Sequence, residues 1–214
     1  MAASSAQSGP TFRSGTAANN HRVILGQSGS GKSKLADTYL RAEAGYVLLV
    51  DPNRNWDNSC EHIKEINWQR SKVVSIGIDY TQPDRFSELV AYLFTLYRKM
   101  NYQYRVAVYI DEADLFCNSD NGADIETLMA QGRRFFDVSL IATKASRLRT
   151  AHGYVALSQA AKVAFFNMYD MDLRCIEENV GVPIPADVRA HIRLPYHYAV
   201  IKDGKISAYA PVRP

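Results

Sequence analysis

The segment Gly26-Gln27-Ser28-Gly29-Ser30-Gly31-Lys32-Ser33 fits the pattern G-x-x-x-x-G-K-[ST] at every specified position. Residues of these types at this spacing can wrap a polyphosphate. The glycines let backbone N–H groups turn inward around phosphate oxygens, and the positive end of a following helix faces the same anion. Lys32 then reaches the β- and γ-phosphates, and the Ser33 hydroxyl ligates Mg²⁺. A Gly/Ser-rich surface turn has a similar composition, so the flanks decide. Residues 21–25 (HRVIL) read as a short strand before the loop and residues 35–44 as a helix after it. That is the context a phosphate loop requires, and it implies a bound nucleoside triphosphate.

A second group of chemically capable residues lies far downstream. Val106-Ala107-Val108-Tyr109-Ile110 is an apolar strand that runs into Asp111-Glu112, the form of a Walker B segment. Asp111 suits the Mg²⁺ shell, through water, and Glu112 suits the general base that polarises an attacking water. An acidic loop after a buried strand would look the same in isolation; the pairing with a phosphate loop favours catalysis. A kinase aims the phosphoryl group at an acceptor, whereas a glutamate here favours water and hydrolysis. The chain lacks N-K-x-D, which disfavours a GTPase of the Ras type. Asp51 ends another strand and either supports the metal shell or caps the Pro52-Asn53 turn, the simpler reading.

The third group is basic. Arg133 and Arg134 close a predicted helix over residues 124–136, where cations are favoured in any case. Adjacent residues point about 100° apart on a helix, so one arginine can face the edge of the core while the other projects to a neighbour. Thr143 and Lys144 end the strand predicted over 138–143, where a polar group can sense a γ-phosphate. Arg147, Arg149 and His152 follow on a loop without a nearby acid. Such a loop is either simply solvated or a contact for a phosphate backbone.

Positioning these groups requires a layered α/β scaffold. Residues 46–50 form a continuous apolar run ending in Asp51, as in a strand buried on both faces. Further strands are predicted at 72–78 and 163–167. Helices are predicted from Pro83 to about residue 100, over 155–161, over 170–180 and over 185–191. Gly45 and Gly181 are placed to close the helices before them. Residues 198–201 and 206–209, joined through Asp203-Gly204, predict a terminal hairpin. Alternating strands and helices imply a mostly parallel sheet covered on both faces.

With 214 residues, 47% apolar and 22% charged, the chain suits one α/β domain over residues 21–214. Residues 1–20 read as a flexible Ser/Ala/Gly/Asn-rich arm without the apolar core of a signal peptide. A net charge of +3 implies no nucleic-acid partner by itself. The three unclustered cysteines fit a reducing compartment and argue against a zinc site, and the five histidines lack metal-ligand spacing. No apolar run approaches the roughly 18 residues of a membrane span.

Taken together, the chain resembles the FtsK–HerA superfamily of P-loop ATPases, and within it the compact genome-packaging ATPases of tailless, membrane-containing viruses. The resemblance rests on the phosphate loop, the run into Asp51, the Asp111-Glu112 pair and the succession helix, Gly-Arg-Arg, strand, Thr-x-x-x-Ser-Arg-Leu. It covers residues 22–204. It implies a RecA-like (ASCE) ATPase with ATP and Mg²⁺ as cofactors. It also implies a homo-oligomeric ring, usually a hexamer, that pumps double-stranded DNA, with capsid or portal components as further partners. The implied location is the host cytoplasm or the packaging vertex of a virion. The larger bacterial translocases carry membrane or DNA-reading domains for which this length leaves no room, which points to the viral branch. By the same resemblance Arg133 or Arg134 acts in trans on a neighbour's nucleotide. The family usually has Gln after the strand's Thr as its sensor, where this chain has Lys144, either a γ-phosphate contact or a DNA contact. Two rival readings stand beside this one: a non-translocating ATPase for virion assembly or secretion, and a small P-loop phosphotransferase.

Overall fold

The computed structural model describes residues 20–54, 56, 59–99, 105–150 and 155–212. Its strands are β1 (Arg22–Leu25), β2 (Tyr46–Val50), β3 (Ser59–Cys60), β4 (Val73–Ile76), β5 (Val106–Ile110), β6 (Phe136–Ala142), β7 (Lys162–Phe165), β8 (Tyr198–Lys202) and β9 (Lys205–Tyr209). They form one sheet in the order β3-β4-β2-β5-β6-β1-β7-β8-β9. Pairing is parallel from β3 to β7 and antiparallel from β7 through β9.

Strand side chains alternate between faces, so a run that is apolar at every position must be covered on both. Val23, Leu25, Leu48, Val50, Val108 and Ile110 join one core. Ile24, Val47, Leu49 and Tyr109 join the other. On the first face pack α2 (Pro83–Lys99), α5 (Asp170–Val180) and α6 (Ala186–Ile192), through residues such as Phe86, Leu93, Ile176 and Ile192. The second face receives Leu35, Ala36 and Leu40 of α1 (Lys32–Arg41). The hairpin turn at Asp203-Gly204 has φ of 51° and 71°, the two positive values that match a tight connection to strand twist.

One strand order matters for chemistry. β6 lies between β1, which leads into the phosphate loop, and β5, which leads into Asp111-Glu112. All three are parallel, so their carboxyl ends share one edge of the sheet, where ligands bind in such folds. Buried His21 pins the opposite edge. Its Nδ1 accepts the Val138 N–H at 3.1 Å, and its Nε2 therefore carries the proton given to the Met129 carbonyl at 2.9 Å.

The structure departs from the sequence expectations in several places. The helix expected over 124–136 is split into α4 (Gly122–Glu126), a π turn (Thr127–Gln131) and a 3₁₀ turn (Gly132–Arg134), and β6 starts two residues earlier than expected. The cause is close packing: a Cβ on Gly132 would lie 2.7 Å from Phe136 Cδ2, so the chain tightens there to seat the Phe136 ring. Residues 155–161 hold only a 3₁₀ turn, Ala156–Gln159, and the acidic stretch after β5 contains α3 (Ala113–Cys117). Gly45 does not close α1, which is capped by Ala42; it sits against the Arg105 carbonyl instead. Residues 1–19 of the expected arm lie outside the described residues. Among the described residues no helix is long and apolar enough to cross a membrane.

Candidate active site

The phosphate loop is tied down on both sides. Gly26 N–H donates to the Ala142 carbonyl at the end of β6 (3.3 Å), and Gln27 N–H to the Asn167 carbonyl beyond β7 (3.1 Å). Phe166 forms its floor: a Cβ on Gly26 would lie 2.8 Å from Phe166 Cβ and 2.6 Å from Ser30 Oγ. Gly31 caps α1 with φ 109°, a left-handed conformation that a side chain would strain. Ser30 Oγ is buried with no hydrogen-bond partner among the described residues. Lys32 folds back over this cradle, its Nζ donating to the Gln27 carbonyl at 3.0 Å. Burial pushes its pKa down, against the opposing pull of Glu112, Asp111 and Asp114. Ser33 is exposed in the first turn of α1.

Across β6 stand the acids. Asp111 N–H donates to the Val50 carbonyl at 3.0 Å, and Asp111 Oδ1 accepts the Glu112 N–H at 3.0 Å. Burial pushes the Asp111 carboxyl up to about 6; the Glu112 N–H bond and Lys32 oppose this, while the charges of Glu112 and Asp51 add to it. Glu112 caps α3 with φ 51° and ψ 36°. A left-handed conformation in a non-glycine residue costs roughly 1–3 kcal/mol and recurs at functional sites. Asp51 is fully buried. Its Oδ2 accepts the Trp56 N–H at 2.8 Å, which is the turn-capping role, while its Oδ1 has no hydrogen-bond partner among the described residues.

This arrangement fits a triphosphate with a divalent cation. The glycine cradle, the orphaned Ser30 Oγ and the desolvated Lys32 cation all suit an anion. Among the described residues no cluster of three or more metal-ligating side chains exists. A cation held by Ser33 and Asp111 would thus complete its shell with phosphate oxygens and water, the usual Mg²⁺ habit.

The remaining predicted residues lie elsewhere. Arg133 and Arg134 are both exposed, at the opposite end of the seven-residue strand β6, about 23 Å from the carboxyl edge. Neither turns toward the core, contrary to the helical expectation, because the 3₁₀ turn carries both outward. Lys144 is half-buried and caps the 3₁₀ turn Ala145–Arg147, directly after the strand end that meets the phosphate loop. Arg147 and Arg149 are exposed on either side of fully buried Leu148. His152 lies outside the described residues.

Sequence reasoning missed two residues that join these parts. Asp114, only 3% exposed, accepts the Thr143 N–H through Oδ1 at 3.2 Å. Asn118 Nδ2 donates to the Arg147 carbonyl. Both belong to the acidic stretch after β5, where a five-residue helix is too short to show periodicity.

No protein-family model matches the chain, and no curated protein matches it. Solved structures do. The genome packaging NTPase B204 of Sulfolobus turreted icosahedral virus 2, in complex with ATP-gammaS, superposes with a TM-score of 0.67 at 17% identity, over 91% of this chain and 98% of that one. VirB4 of Thermoanaerobacter pseudethanolicus gives 0.70 at 9% identity, over 92% and 90%. The cytoplasmic domain of the Thermomonospora curvata type VII secretion ATPase EccC gives 0.59 at 13% identity, over 90% of this chain and 25% of that one. The chain has the fold of a viral genome-packaging NTPase, the kind of protein its motifs resemble.

Proposed function

We propose that the protein is an ATP hydrolase that assembles as a ring and moves double-stranded DNA, packaging a viral genome. The observation that carries the hydrolase reading is the convergence of Lys32, Asp111 and Glu112 on one sheet edge, with Glu112 held in a strained cap. Glu112 polarises the attacking water, and Lys32 leaves its bond to the Gln27 carbonyl to neutralise phosphate oxygens. Mg²⁺, held by Ser33 and Asp111, supplies further neutralisation of charge when bound. Thr143 and Lys144 sense the state of the phosphates.

The translocase reading is supported by how the basic loop is attached. Arg147 hangs from α3 through Asn118 and from β6 through the turn at Ala145, so it has a connection to both the catalytic acid and the sensor strand. Arg133 and Arg134 are too far from their own phosphate loop to serve it, which supports action on a neighbour's site. The likeness to EccC, a type VII secretion ATPase, supports one alternative, an ATPase that drives secretion or assembly without moving DNA.

ATPase rate measured with and without double-stranded DNA, alongside solution mass, separates these readings. Stimulated hydrolysis by a ring supports the translocase. Hydrolysis by a ring that ignores DNA at every salt concentration favours the secretion or assembly reading. Hydrolysis that requires a small-molecule acceptor would point to a phosphotransferase.

A further inference from the structure

A cavity of about 260 Å³ opens beside the phosphate loop, between Ser28 and Ser30 on one side and the segment Arg193–His197 on the other. Its position follows from the sheet order. The acids lie past β6, on one flank of β1, and β7 and β8 lie on the other. A phosphate chain on Lys32 that points its terminal phosphate at Glu112 must release its nucleoside end toward β7 and β8. The cavity lies on that flank.

Tyr196 lines its wall. The residue has φ 62°, a conformation that a bulky side chain rarely adopts. Its ring lies against the loop, since a Cβ on Gly31 would be 3.4 Å from Tyr196 Cδ1. Even so, the residue remains 48% exposed. The strained backbone is held from several directions. Val212 N–H donates to the Tyr196 carbonyl at 3.2 Å, His197 N–H to the Leu194 carbonyl at 3.2 Å, and Leu194 N–H to the His191 carbonyl at 3.1 Å. An aromatic ring fixed at a phosphate loop, half-covered on a rigid support, has the form of a stacking platform. Backbone strain retained at such a place is typical of ligand clamps.

We propose that Tyr196 is the platform on which the nucleobase stacks, with the Arg193–His197 segment forming the base pocket. The inference rests on the reading of residues 26–33 as a triphosphate loop. Stacking uses the π face that every base has, so the platform supplies affinity for nucleotides as a class.

The test compares ATP with inorganic tripolyphosphate, which has the phosphates but no base, by calorimetry on wild-type, Tyr196→Gly and Tyr196→Phe proteins. Glycine accepts the positive φ without strain, so Tyr196→Gly removes the ring without forcing the backbone, and a cooperative thermal melt verifies that the variant is folded. Its ATP affinity should fall about tenfold or more, with tripolyphosphate affinity unchanged, and Tyr196→Phe should match wild type. Wild-type ATP affinity in Tyr196→Gly overturns the proposal. So does an equal loss for both ligands, which would make Tyr196 a support of the phosphate loop. Wild-type protein that binds neither ligand overturns the triphosphate reading itself, before the variants are compared.

Discussion

Asp114 Oδ1 accepts the backbone N–H of Thr143 at 3.2 Å, so one buried carboxylate joins the turn that presents Glu112 to the strand end beside the phosphate loop. Removing it frees both. Asp114→Ala should cost about 1 kcal/mol of stability by stranding a partly buried N–H and should lower kcat. Asp114→Asn keeps an acceptor and should retain most activity. If Asn and Ala variants lose activity equally, the charge beside Lys32 matters and the positioning role is wrong; steady-state kinetics with denaturant melts decides.

The catalytic assignment predicts different defects for two residues. Lys32→Ala should lose productive nucleotide binding and hydrolysis together. Glu112→Gln should retain nucleotide while hydrolysis falls about 10²-fold or more, the range for loss of a general base. Nucleotide affinity and single-turnover rates measure both, and substantial turnover by Glu112→Gln would remove it from the role of base.

Arg133 and Arg134 should behave as residues of a neighbour's site. Alanine at the acting position should leave ATP binding intact and reduce hydrolysis about 10³-fold or more. Mixing that variant with Lys32→Ala protein should restore activity, because intact halves then meet across an interface. Absence of rescue in demonstrated mixed oligomers would assign both arginines to structure alone.

DNA contact through Arg147 and Arg149 should be electrostatic. Affinity should fall steeply with salt and vary little with base sequence. Replacing both with Ala should lower the salt slope by about one to two and abolish DNA stimulation while basal ATPase persists. An unchanged slope would exclude this loop as the track.

Stability should depend on pH through two opposing groups. His21 is held neutral, and burial lowers its pKa below 6.5. The unfolded chain therefore takes up a proton first, and stability is lost as pH falls below about 6.5. Asp111 acts the other way: with its pKa raised from 3.8 to about 6, the folded state binds the extra proton between those values, and stability rises on acidification there. His21→Gln should flatten the acid-side loss. Asp111→Asn should steepen it and stabilise the protein at pH 7, by on the order of 1–2 kcal/mol. Denaturant midpoints from pH 5 to 8 test both signs.

Much of this was legible in the sequence, for identifiable reasons. The strands β1, β2 and β5 are apolar runs bounded by Gly or Asp, and the phosphate loop and the Asp203-Gly204 turn have fixed residue requirements. What escaped depends on contacts between distant segments. Gly132 gives no local sign that Phe136 will press against it and break a helix. Asp114 looks like one acid among six until β6 is known to lie beside β5. The basic loop at Arg147 shows no sequence link to the segment after β5, yet Asn118 Nδ2 donates to the Arg147 carbonyl and joins them in one surface.

The interior position of β6 has a mechanical consequence. It is paired on both sides, with β5 and with β1, so it cannot slide alone without shearing two ladders at once. Its carboxyl end meets the chain's own phosphate loop, and its amino end is separated from Arg133 and Arg134 only by Phe135. Close-packed interiors have low compressibility and pass displacement on. A displacement carried from Thr143 to the arginines would therefore take β5 and β1 with it, moving the centre of the sheet as one body.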